Sequence, residues 1–158
     1  MPDMLVRLYA LPPAPPSADA GVEIRRALAY DRQPVLRWVS EAFGPGWEGE
    51  CAVAFSRQPI TCFLAVREDC VVGFACHDAT CRGFFGPTGV DPSCRGLGIG
   101  TRLLYACLED MKSQGHAYAF IGGAGPVDFY AKAVGATVVE GSTPGIYRTP
   151  LKNYVQEG

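Results

Sequence analysis

The chain has 158 residues, 48% hydrophobic and 19% charged, which suits one globular domain with a real core and excludes a disordered chain. Its formal net charge is −2 with three lysines, so no basic stripe supports a nucleic-acid partner. No apolar run approaches membrane-spanning length, and the start MPDMLVRLYALPP lacks the basic, apolar and small-residue regions of a signal peptide.

Residues 4–11 (MLVRLYAL) read as a short strand, ended by prolines. The following LPPAPPSADAG reads as a linker, so residues 1–20 are set apart as an N-terminal strand and proline-rich extension before a domain at 21–158. That extension is either a disordered tail or a docked extra strand. GVEIRRAL is the expected first strand of the domain. A helix over 31–42 follows, with Asp31 as N-cap, Pro34 in its first turn, and Val35, Leu36 and Val39 on one face. Residues 43–47 read as a break and EGECAVAFSR as a second short helix. ITCFLAVRE and CVVGFACHD form a hairpin around Glu68-Asp69, and GFFGPTGVD adds a third strand.

A helix is expected from about 98 to 114, with Leu103, Leu104, Cys107, Leu108 and Met111 on its apolar face and Gly115 as C-cap. AYAFIGG is a short buried strand, DFYAKAVGA a short helix, and TVVEG and GIYRTPL two closing strands. The order predicts a mixed α/β chain around one sheet. Seven cysteines occur without a CxxC pair, and His77 and His116 supply no zinc spacing. The expectation is reduced thiols packed as small core residues in a cytoplasmic protein, with no metal. Cys94 stands out beside Arg95 at a helix start, where thiol pKa values fall.

The stretch CRGLGIGTRLL places three alternating glycines against a helix N-terminus. Free N–H groups there, the helix dipole and the Arg95 guanidinium suit an anion, and glycines let it approach the backbone. A pyrophosphate is the natural guest; a ligand-free tight turn is the plain alternative. A Walker loop is excluded because Thr101-Arg102 follows Gly100, and the dinucleotide fingerprint fails at positions 101 and 103.

VDPSCRGLGIGTRLL resembles the signature of the GNAT acetyltransferases, in which Arg/Gln-x-x-Gly-x-Gly/Ala opens an amphipathic helix. Arg95, Gly98 and Gly100 fill its positions. FYAKAVGA is similar to the family's Phe-Tyr-x-Lys-x-Gly-Phe segment through Phe129, Tyr130, Lys132 and Gly135, with one extra residue before the glycine and Ala136 in place of Phe. The resemblance covers residues 21 to about 151 and implies a mixed, mostly antiparallel sheet with a splayed parallel pair and flanking helices. It also implies acetyl-CoA as co-substrate. Val90, Arg95, Gly96, Leu97, Gly98, Ile99, Gly100 and Thr101 would hold it, together with Tyr130, which would also serve the departing thiolate as the catalytic residue.

Amine acetylation requires a proton acceptor for the amine and a donor at the carbonyl oxygen. The family's strand glutamate is missing from GFFGPTGV, which leaves Asp78, Glu48, Glu50, His77 or water as the base. Gly123 stands where relatives often carry an asparagine, and Pro126 where alanine is common. Phe43, Trp47, Phe55 and the loop after Gly141 are expected on the acceptor side, with Phe55 in the core. The leading expectation is an N-acetyltransferase acting on a small amine. A non-catalytic acyl-CoA-binding module and a peptide or protein N-acetyltransferase are the alternatives, and a homodimer is left open.

Overall fold

The structure is a computed structural model that describes residues 1–17 and 21–151. Residues 18–20 of the expected linker and 152–158 of the expected domain lie outside the described residues. Among the described residues, seven strands form one sheet: β1 (Met4–Arg7), β2 (Glu23–Arg26), β3 (Cys62–Arg67), β4 (Cys70–His77), β5 (Phe84–Val90), β6 (Tyr118–Ile121) and β7 (Thr137–Val138). Their order is β2-β3-β4-β5-β6-β1-β7. Every pairing is antiparallel except β5–β6. Four helices flank it: α1 (Arg32–Phe43), α2 (Pro45–Phe55), α3 (Ile99–Ser113) and α4 (Val127–Val134).

Side-chain alternation along the central strands divides the core. Leu64, Phe74, Cys62 and Cys76 pack with α1 and α2, whereas Ala65 and Ala75 pack with α3. Helix α3 follows its apolar stripe, burying Leu103, Leu104, Cys107, Leu108 and Met111. The β3–β4 turn places Glu68 and Asp69 at φ +50° and +61°, the left-handed pair a tight hairpin requires. Among the described residues, no helix is long and apolar enough to cross a membrane.

Three expectations change. The break before α2 is Gly44 alone, at φ +99°; Pro45 already opens α2, where its fixed φ and missing donor cost nothing. Asp31 precedes α1 but does not cap it: its carboxylate accepts from the Leu28 amide and the Arg25 guanidinium instead. The two closing strands shrink to one of two residues, Thr137–Val138, and Gly145–Tyr147 is a 3-10 turn. The free edge of β6 explains why: β1 already occupies it, pairing Met4 with Ile121 and Arg7 with Tyr118, so β7 reaches the sheet only through Met4 and Leu5. Pro144 and Pro150 also deny the last segment ladder donors.

Candidate active site

Strands β5 and β6 pair in parallel only at Phe84–Phe120 and Phe85–Ile121. Beyond Phe85 they part, and a cavity of about 1,100 Å³ opens between them. Such a gap past the carboxyl ends of parallel strands is where ligands gather in α/β sheets. Gly86 to Val90 present an unpaired backbone edge along one wall. Gly89 is obligatory there, because a Cβ would sit 2.5 Å from the Phe43 ring.

The glycine turn closes one end. Asp91 accepts from the Ser93 amide and hydroxyl, shaping the turn that precedes Arg95. Gly98 sits at φ +76°, and Arg102 N–H is the first to reach back, to the Gly98 carbonyl. The amides of Ile99, Gly100 and Thr101 are therefore left for a ligand. A Cβ added at Gly96 or Gly98 would meet nothing within 4 Å, so open space lies over the backbone where an anion would rest. Val90, Arg95, Gly96, Gly98, Ile99, Gly100, Thr101 and Tyr130 all line the cavity; Leu97 does not, and lies half-exposed outside it. Cys94 is buried and also lines the cavity.

Tyr130 reaches the cavity from α4, packed edge-on against Phe85 and Phe129. Burial raises its phenol above the ordinary value, keeping the proton available for donation. The left-handed Gly123, at φ +53°, gives its amide to the Asp3 carboxylate at 2.9 Å. The Asp3 amide donates to Ser142 Oγ at 2.8 Å, so Asp3, just before β1, ties the loop after β6 to the loop after β7.

The opposite end is formed by Trp47 and Glu50 of α2, Thr80, and Thr143, Pro144 and Tyr147 of the last loop. Burial, and then the nearby Glu50 charge, raise the Tyr147 phenol. Phe55 is in the core under α2. Of the candidate bases, only Glu50 lines this cavity. Glu48 borders a separate surface depression with Arg32 and Arg37. His77 and Asp78 lie in a closed network: His77 Nδ1 is 2.6 Å from Asp78 Oδ2, and Nε2 is 2.7 Å from Asp110 Oδ2. Asp78 further accepts from the Gly83 amide, and Asp110 from Arg26. The loop after Gly141 reaches this end through Thr143, Pro144 and Tyr147, whereas sequence reasoning missed Thr80, since an isolated loop residue carries no motif.

A mixed sheet splayed beside a glycine-capped helix defines a donor-binding fold. The acetyltransferase (GNAT) family profile matches residues 32–136, and the chain belongs to that family. No curated protein sequence matches the chain closely enough to count as a relative. Among solved structures, a GCN5-related N-acetyltransferase from Sphaerobacter thermophilus superposes with TM-score 0.65 and 25% identity, over 87% of this chain and 48% of that one. The chain thus spans about half the length of that protein. A GCN5-related glucosamine N-acetyltransferase region of a fungal multi-domain β-N-acetylglucosaminidase gives TM-score 0.69 at 14% identity, over 87% and 19% of the two chains. An aminoglycoside acetyltransferase from an uncultured soil metagenomic sample gives 0.52 at 19%, over 72% and 84%. These two likenesses share the fold.

Proposed function

We propose that the protein moves an acetyl group from acetyl-CoA to the amine of a small molecule by direct attack, with no covalent enzyme intermediate. One observation carries the reading: a single cavity joins the open glycine cradle, the free β5 edge, the Tyr130 phenol and the Glu50 carboxylate. The amides of Ile99, Gly100 and Thr101 hold the pyrophosphate, and Arg95 supplies the cation. The β5 edge pairs with pantetheine, less the donor that Pro87 lacks. Glu50 draws in the protonated amine and accepts its proton, directly or through water, since only a neutral amine attacks. Tyr130 donates to the departing sulfur. The Glu50–Tyr147 end favours a cationic amine, and the soil aminoglycoside and fungal glucosamine relatives act on polyhydroxylated amines by name.

The test is thiol release from acetyl-CoA across a panel of amines and short peptides, with thermal shift by CoA alongside. CoA at a hundredfold excess over its dissociation constant should add about 2.7 kcal/mol. Turnover with small cationic amines is the expected result. CoA stabilisation without turnover would instead make the protein a binding module, and turnover confined to peptides would move it to N-terminal acetylation.

A further inference from the structure

A second chemical cluster lies away from the cavity. Cys51, Cys62 and Cys76 are fully buried, and their sulfurs all lie within 4.8 Å of one another, with Cys51 and Cys76 at 3.8 Å. The three come from different elements. Cys62 and Cys76 are directly paired across β3 and β4, on the face turned to α1 and α2, and Cys51 reaches down from α2. Spacings of this kind hide in a sequence, because strand register, not local order, brings the thiols together.

We propose that these thiols form a three-sulfur binding site for a trivalent thiophilic metalloid of the arsenite class. Distance and charge carry the argument. Sulfurs bound to a common ion at about 2.3 Å, the zinc–thiolate length, lie about 4 Å apart in a plane and closer in a pyramid. The observed triangle needs only a small contraction. The surroundings are Ala27, Val35, Leu36, Ala54, Phe74 and similar apolar side chains. In such a medium an uncompensated charge costs several kcal/mol. Three thiolates on a monovalent ion leave two negative charges, and on a divalent ion one. On a trivalent centre they leave none. Zinc also wants a fourth ligand, and among the described residues no histidine or carboxylate joins the group. The binding step balances without a redox partner: three arsenic–oxygen bonds of arsenous acid break, three arsenic–sulfur bonds form, and the three thiol protons leave with the hydroxides as three waters.

The experiment uses the full chain with its thiols kept reduced by a phosphine. Sodium arsenite is added either to the native protein or during refolding from urea, since burial makes access depend on α2 lifting. After desalting, elemental mass spectrometry should find one arsenic per chain, native mass spectrometry should show three protons lost, and X-ray absorption should show three sulfurs and no oxygen at arsenic. Cys70→Ser and Cys81→Ser should retain arsenic as the parent does, while Cys51→Ala and Cys76→Ala should lose it at least tenfold. Absence of retention by both routes would overturn the proposal. So would oxygen or only two sulfurs at arsenic in the parent, a readout that does not depend on the variants folding. Zinc or copper(I) retained in preference to arsenite in competition would overturn the charge argument and the proposal with it.

Discussion

Tyr130 and Glu50 face one cavity from α4 and α2, and the role proposed for each separates from packing by a single-atom change. Tyr130→Phe keeps the ring against Phe85 and Phe129 and removes only the donor. Turnover should fall roughly 10²–10⁴-fold with the acetyl-CoA KM nearly unchanged, because the proton is used only as sulfur departs. Steady-state kinetics check this; lower thermal stability with kcat intact would make Tyr130 a packing residue. Glu50→Gln keeps shape and removes charge. The KM for a cationic amine should rise and kcat should fall, whereas CoA thermal shift stays as in the parent. Unchanged amine kinetics would pass the proton to water. Tyr130 was legible because its segment has a recognisable pattern. Glu50 was one carboxylate among several candidates, and that it lines the cavity depends on the angle of α2 against β5, which no local sequence encodes. Glu48, two residues earlier, points to another face of the same helix.

At the scale of elements, β1 is the strand whose position the sequence least disclosed. MLVR reads as a strand by composition, yet nothing local says that it fits between β6 and β7. Its place follows from backbone donors: β6 has only two paired residues on the β5 side, so its other edge needs a partner along its length. Met4, Val6 and Leu8 are fully buried and join the core beneath α3. Met4→Ala should therefore cost about 2–5 kcal/mol in urea unfolding, the range for truncating a large core side chain. A loosely appended segment would show no loss. Helix α3, in contrast, was readable almost to the residue: it begins at the last glycine of the turn and ends before Gly115, because its stripe and its terminal glycines agree.

At the scale of the whole molecule, a buried electrostatic network joins parts that the hydrophobic pattern leaves separate. Asp110 lies off the apolar stripe of α3, yet it receives Arg26 of β2 and His77 of β4, while Asp78 holds the His77 ring and the Gly83 amide, with His116 at 3.5 Å. Arg26, the His77–Asp78 pair and Asp110 are far apart in sequence and lack a local motif, so only the assembled sheet and helix reveal the network. Burial raises the carboxyl of Asp110, but hydrogen bonds from Arg26 and His77 outweigh it, and the net pKa falls below the usual value. At Asp78 burial is likewise outweighed, by the Gly83 amide and His77. A carboxylate whose pKa is lower folded than unfolded binds fewer protons in the native state. Its stabilisation is complete above the unfolded value of about 3.9 and is lost as pH falls through the lower folded value. Stability measured by urea unfolding should thus decline as pH falls below about 4, with the slope set by the protons the unfolded chain takes up. Asp110→Asn should be less stable at neutral pH, since it strips the charge facing Arg26, and its decline below pH 4 should be shallower by the share Asp110 contributed. Parallel curves for parent and variant through that window would show that Asp110 has the same proton affinity folded and unfolded, and that its ion pair with Arg26 does not help hold α3 to the sheet.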